Sequence, residues 1–348
     1  MPQGPQTHTY PIPLPDFDPL AARPDQLALY GLPARPDPRL EQELFLFWAQ
    51  LLGPPTTFIV PQFSRPGSSN LEVQSNLDAG RAMLRTGPPH RRFLSHQNSK
   101  NWSGVYITPS PRPNRFVQMT GGWTVPQPAV PGVPPSGARP ASQEYRSSTW
   151  IGFDGKRSRY PNASLPQIGT HQFVTDTNGQ EVVDTHAWIQ WWVKDRQGYD
   201  EPLKITNFPV ASGDKILSCM TIQVPGDVVF NIKNLTTGLF AAFIVIAPAG
   251  IQPIGSTAEW VHERQTMQRS KKLYPLPHCS DVNFNFCIAR STPLIGAQTN
   301  LQRLDNARLI RMYEQFDNPN RIAFVSLAKK TSSTSARVFY REAGSAIV

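Results

Sequence analysis

Thr185-His186-Ala187-Trp188-Ile189-Gln190-Trp191-Trp192-Val193 is the stretch on which the fold turns. Successive side chains of an extended chain point to opposite faces. Ala187, Ile189, Trp191 and Val193 therefore share one face, and Trp188, Gln190 and Trp192 share the other. The first set is a core face. The second flanks an amide with two tryptophans, the make-up of a binding surface.

The same parity sorts two other segments. In Thr149–Asp154, Ile151 and Phe153 point to the core while Trp150, Gly152 and Asp154 point away. In Ala258–Glu263, Ala258, Trp260 and His262 share one face and Glu259, Val261 and Glu263 the other. If the non-core faces belong to one sheet, Trp150, Trp188 and Trp192 line a concave surface. Asp154, Gln190, Glu259 and Glu263 are then its polar groups. His262 reads as a sheet residue, not a ligand.

Further strands are expected at 101–107, 116–125, 215–224, 228–234, 282–289, 307–314, 321–328 and 336–341. Asp154-Gly155, Asn178-Gly179, Ser212-Gly213-Asp214, Pro225-Gly226-Asp227 and Thr237-Gly238 supply the turns. Many strands with almost no helix imply an all-β, antiparallel two-sheet β-sandwich. The 36 prolines and 23 glycines of the 348 residues agree with short strands and turns rather than helices. Residues 125–140 read as a proline-rich loop.

Residues 1–95 differ: they are proline-rich and carry one helical signal. Asp37 caps, Pro38 takes the first helical position, and Leu40, Leu44, Phe47, Trp48 and Leu51 recur at helical spacing until Gly53-Pro54 stops them. The expected division is an N-terminal extension over 1–95, with one helix docked on the main domain either as a pro-segment or as a plain decoration, and a sandwich over 96–348.

Net charge is +9, but the basic residues are scattered and the densest group, Ser270-Lys271-Lys272, is short. With no phosphate loop or zinc-finger spacing, nucleic acid is not an expected partner. Three cysteines make no disulfide framework. Cys279 and Cys287 as a pair across a turn is the weaker reading beside free thiols in strands. No metal-ligand spacing appears, and no metal or cofactor is implied. No apolar run reaches membrane-spanning length, and Met1–Pro15 lacks the pattern of a secretory signal.

Seven segments, in order, resemble the eqolisin family of glutamic peptidases. They are Asn101-Trp102-Ser103-Gly104, Trp123-Thr124-Val125-Pro126, Trp150-Ile151-Gly152-Phe153-Asp154-Gly155, Leu165-Pro166-Gln167-Ile168-Gly169, Ala187-Trp188-Ile189-Gln190-Trp191, Asn234-Leu235-Thr236-Thr237-Gly238 and Ala258-Glu259-Trp260-Val261-His262-Glu263. The resemblance spans roughly residues 100 to 265 and is nearer to bacterial members than to the fungal acid proteases. It implies a concanavalin A-like jelly roll and a monomeric endopeptidase acting on polypeptides, away from membranes, outside the cytoplasm and in acid. It also implies a catalytic pair, Gln167 and Glu263, with Trp102, Trp150, Asp154, Trp188, Gln190, Trp192 and Glu259 binding substrate or supporting the pair.

That chemistry is self-consistent. Amide hydrolysis needs a base for the water and a donor for the oxyanion. The resemblance gives Glu263 the first role and Gln167 the second; a glutamine offers donor and acceptor at every pH. Two departures bear on pH. The fungal enzymes generally carry a glutamate where this chain has Gln190 and a tyrosine where it has Trp192, and they are acidic where this chain is basic. Loss of a neighbouring carboxylate implies a less raised pKa for Glu263, and the basic character of the chain argues against a strongly acidic optimum.

The alternatives are a non-catalytic carbohydrate- or protein-binding sandwich and a structural protein with a decayed site. A sugar binder has no reason to hold Gln167 and Glu263 at these motif positions. A glycosidase wants two carboxylates across its groove, and Glu259 and Glu263 on one strand are roughly 13 Å apart by strand rise.

Overall fold

The computed structural model describes residues 4–65, 96–111, 113–132, 142–157, 163–196, 198–199, 201–223, 226–267, 272–293, 299–315 and 322–341, with the backbone of 72–73. Ser270 and Lys271 of the Ser270-Lys271-Lys272 group, and residues 133–140 of the proline-rich loop at 125–140, fall outside them.

The principal strands, labelled here in chain order, are β1 (Trp102–Ile107), β2 (Arg115–Thr124), β3 (Ser142–Phe153), β4 (Ser164–Thr177), β5 (Gln180–Val193), β6 (Leu203–Pro209) and β7 (Lys215–Ile222). They continue with β8 (Val228–Asn234), β9 (Leu239–Val245), β10 (Ala258–Arg264), β11 (Val282–Thr292), β12 (Arg308–Gln315), β13 (Ile322–Lys330) and β14 (Ala336–Tyr340). The front sheet runs β6–β5–β4–β3–β10–β1–β12, every pair antiparallel. Through β13 and β14 the pairing turns to the back sheet, β11–β2–β7–β8–β9, again antiparallel. The result is the expected all-β sandwich.

Alternation decides what lies between the sheets. Ile151, Ile168, Ile189, Trp191 and Trp260 of the front sheet share one core with Met119, Trp123, Ile216, Met220, Phe230 and Phe284 of the back. Two indoles hydrogen-bond from one sheet to the other: Trp260 Nε1–H to the Thr120 carbonyl at 2.8 Å and Trp123 Nε1–H to Thr170 Oγ1 at 3.1 Å. A buried indole N–H is stabilised by such an acceptor, and each of these two bonds helps fix how the sheets sit. Cys219, Cys279 and Cys287 are buried free thiols.

The strands expected from sequence are present, with ends shifted by a few residues. Of the principal strands, three were not anticipated: β4, β6 and β9. β9 is buried almost throughout, so its sequence Leu-Phe-Ala-Ala-Phe-Ile-Val carries no alternation to read.

The N-terminal segment is laid against the back sheet. Helix α1 covers Pro24–Leu29 and helix α2 covers Gln42–Leu52. The second starts four residues later than Pro38 suggested. Asp37 Oδ1 instead accepts the Arg39 N–H at 2.7 Å in a turn ahead of the helix, and Leu40 is left 81% exposed. Leu44, Phe47, Trp48 and Leu51 pack on Leu217, Cys219, Phe240, Ala242 and Ile288, on the face of the back sheet away from the core. Lys233 closes the contact. Its Nζ donates to the Gln50 and Gly53 carbonyls and to Thr56 Oγ1 at the C-terminal end of α2, where a cation offsets the helix dipole. Thr7–Thr9 and Thr57–Ile59 then pair with β9, and Phe63–Ser64 pairs with β6. Among the described residues the segment thus touches both sheets. Among the described residues no helix is long and apolar enough to cross a membrane.

Candidate active site

The outer face of the front sheet carries the groups singled out by sequence. Backbone register arranges them in cross-strand rows. One row reads Tyr106, Glu259, Gly152, Gln167, Gln190 from β1 through β10, β3 and β4 to β5. The next reads Gly104, Val261, Trp150, Gly169, Trp188, and the third Trp102, Glu263, Ser148, His171, His186.

The glycines of the motifs explain themselves here. A Cβ on Gly152 would crowd Leu165 Cδ1, the Pro166 carbonyl and Gln167 Cβ at 2.9 to 3.0 Å. One on Gly169 would run into the Thr149 carbonyl and Trp150 Cβ. Bare backbone at these two places lets Gln167 and Trp150 lie across the neighbouring strands.

Glu263 is held on both oxygens. Asn101 Nδ2 donates to Oε1 at 3.0 Å and the Trp150 indole N–H to Oε2 at 2.8 Å. Only 1% of the residue is exposed. Burial pushes its carboxyl pKa up to about 8, against the opposing pull of the Trp102, Trp150 and Asn101 donors. The loss of a carboxylate at position 190 therefore does not keep this pKa low, because desolvation rather than like charge sets it. Glu259 is likewise buried and pushed up to about 8, its Oε1 accepting the Lys156 backbone N–H at 3.2 Å.

Gln167 is fully buried, and its Nε2 donates to Gln190 Oε1 at 2.9 Å. Gln167 and Glu263 make no direct hydrogen bond. They stand two strands apart and four residues out of register, with the Trp150 row between them. The carboxyl in the same row as Gln167 is that of Glu259, beyond Gly152.

Asp154 works at a distance from the rows. It adopts the left-handed region, φ 70°, at the end of β3. Its carboxylate accepts the backbone N–H groups of Ile254, Gly255 and Ser256 at 2.6 to 3.0 Å and the Ser256 hydroxyl at 2.6 Å. It thereby pins the loop that enters β10, the strand of both glutamates. Burial raises its pKa, the four donors opposing.

The tryptophans expected to line a concave surface are not solvent-exposed. Trp102, Trp150, Trp188 and Trp192 are buried and join Tyr106, Ala163, Leu165, Val261 and Ile310 in one apolar cluster. The Lys156 ammonium lies over the Trp102 and Tyr106 rings at 5.8 and 5.1 Å.

Three residues escaped the sequence reading. Asn101 stands in the Asn101–Gly104 motif, which by itself assigns it no role, and its side-chain amide donates to Glu263 Oε1. His171 and His186 end the Glu263 row, 3.2 Å apart between Nδ1 and Nε2. Parity along 185–193 extends to His186, but β4, which brings His171, is not among the strands expected from sequence. His262 is a sheet residue as expected; its Nδ1 meets Thr149 Oγ1 at 3.1 Å, and burial lowers its pKa to about 4.

Residues 100–333 match the model of the peptidase A4 family. Among solved structures the chain is similar to scytalido-glutamic peptidase with a transition-state analogue inhibitor: 17% identity, TM-score 0.49, covering 70% of this chain and 98% of that one. It is also similar to SCP-B, described as a member of the eqolisin family in complex with the tripeptide Ala-Ile-His, at 17% identity, TM-score 0.47 and the same coverage. The aspergilloglutamic peptidase of Aspergillus niger follows at 18% identity and TM-score 0.43, over 57% of this chain and 99% of that one. No curated protein matches.

Proposed function

Because this chain belongs to the peptidase A4 family, we propose that it is an endopeptidase cleaving polypeptides with one glutamate and one glutamine, Glu263 and Gln167. The observation that carries the reading is the environment of Glu263: a carboxylate buried on the sheet face, fixed on both oxygens by Trp150 and Asn101.

In this scheme ionised Glu263 takes a proton from water, the water oxygen attacks the scissile carbonyl carbon, and the carbonyl electrons move to oxygen. Gln167 Nε2–H stabilises that oxyanion. Glu263 then hands its proton to the departing amine as the oxyanion electrons re-form the carbonyl and the C–N bond breaks, leaving a new carboxyl and a free amine. Substrate must enter between the two side chains, over the Trp150 row, because they have no contact of their own. No covalent enzyme intermediate forms.

Only the ionised form of Glu263 is a base. With its pKa pushed up to about 8 while the carboxyl is buried, the rate rises with pH through weak acid, and a strongly acidic optimum is not expected. Water or substrate entering the face relieves desolvation and moves that limb downward.

The test is to incubate the purified protein with a denatured protein from pH 3 to 8, beside Glu263→Gln and Gln167→Ala. Fragments from the wild type, with at least roughly hundredfold less from Glu263→Gln, support the reading. Equal cleavage by all three proteins removes the pair, and no cleavage by the wild type at any pH removes the activity.

A further inference from the structure

We infer that Gln190 is a positioning residue: its side-chain oxygen holds the Gln167 amide in the one orientation that leaves an N–H for the oxyanion and an oxygen for the attacking water. The inference rests on the pairing of Gln167 and Glu263 proposed above, and adds the group that makes Gln167 competent.

The two glutamines are directly opposed on β4 and β5. Both are buried, between the rows of Trp188 and Trp192 on the same face. Two facing amides can bond in either sense. Here Gln167 Nε2 donates to Gln190 Oε1 at 2.9 Å. One of the two Gln167 N–H bonds is thereby used and the second is free to donate. Gln167 Oε1 and Gln190 Nε2 are buried with no hydrogen-bond partner among the described residues.

A buried polar atom without a partner costs on the order of 1–3 kcal/mol, and such atoms in a folded protein call for an explanation. The unpartnered oxygen of Gln167 is the acceptor that a water held between Gln167 and Glu263 requires. In the opposite sense of bonding, Gln190 Nε2 would occupy that oxygen, and the water would lose its acceptor. The acceptor at position 190 is therefore the element that decides which way Gln167 works. A glutamine provides it without adding charge. A glutamate provides it too, but once ionised it places a negative charge next to the site of the developing oxyanion.

Gln190→Leu and Gln190→Glu separate these effects. Leucine fills similar volume and offers no acceptor; kcat should fall about tenfold, the value of one ordinary hydrogen bond, with KM changed less than about twofold. Glutamate keeps an acceptor. At pH 5 its kcat should stay within about threefold of wild type, and its rate should fall as pH rises toward 8 while that of the wild type climbs. Equal kcat for Gln190→Leu and wild type, or equal losses for the two variants at pH 5, would overturn the inference.

A second measurement does not need turnover. In 1H–15N spectra of the full chain, with the Gln167 side-chain amide identified by its disappearance in Gln167→Glu, one of its two protons should be slow to exchange in the wild type and in Gln190→Glu. It should exchange at least tenfold faster in Gln190→Leu. Unchanged protection in Gln190→Leu refutes the assigned orientation even if the protein cleaves no peptide, whereas absent cleavage with the expected protection pattern refutes only the peptidase reading.

Discussion

Replacing Glu263 by glutamine should make the protein more stable in alkali while abolishing its chemistry. In the folded chain the Glu263 pKa is pushed from an ordinary 4.5 up to about 8 by burial. A raised carboxyl pKa means that the folded state binds the proton more tightly than the unfolded state. The stability it contributes is complete below pH 4.5 and is lost as pH rises through about 8. A shift of that size corresponds to about 5 kcal/mol at 1.36 kcal/mol per unit. Glutamine is nearly isosteric with the protonated acid, and each presents one carbonyl oxygen and one donor-bearing group to Asn101 and Trp150, so at pH 4.5 the variant should match the wild type to within about 1 kcal/mol. At pH 9 the wild type must bury a charge that the variant lacks, and the variant should be the more stable by roughly 3–5 kcal/mol. The assay is urea unfolding of both proteins at pH 4.5, 6, 7.5 and 9, with the difference in midpoint converted by the shared m value. A difference that does not change between pH 4.5 and 9 would show that Glu263 is not held neutral by burial, and the pH argument for the mechanism would fall with it.

Gln167→Glu should be slower than Gln167→Ala near neutral pH and should recover in part in acid, because the ionised carboxyl both lacks the donor and repels the oxyanion, whereas the protonated one donates an O–H; rate–pH profiles that coincide would remove Gln167 from the oxyanion site. Asp154→Asn should reduce stability by about 1–3 kcal/mol and lower kcat through β10, since an asparagine cannot accept all four bonds from Ile254, Gly255 and Ser256; an unchanged melting temperature would contradict the clamp. Deleting residues 1–55 should yield aggregated or unfolded protein, because it bares the Leu217, Phe240 and Ile288 face and strips the helix-end acceptors from Lys233, whose pKa burial lowers to about 8; a soluble, folded truncated protein would show the segment to be an appendage.

Much of this fold is written in local pattern. Strict alternation in Thr185–Val193 separated a core face from a functional face, and the structure keeps that division residue by residue: Ala187, Ile189, Trp191 and Val193 between the sheets, Trp188 and Trp192 outside. Period-two parity is local, so one sequence suffices to read it. The helix face of Leu44, Phe47, Trp48 and Leu51 was legible for the same reason at a different period. What lay beyond reach was anything set by pairing between distant segments. Register alone puts Glu259, Gly152, Gln167 and Gln190 in one row and Glu263 in another with His171 and His186; a shift of two residues in any strand would preserve every parity and every motif while rearranging the site. The partners of Glu263, Asn101 and Trp150, lie 162 and 113 residues away along the chain. The raised pKa of that carboxyl belongs to neither its own strand nor theirs. It comes from the burial of Glu263 in the assembled sandwich, which keeps water from its carboxyl.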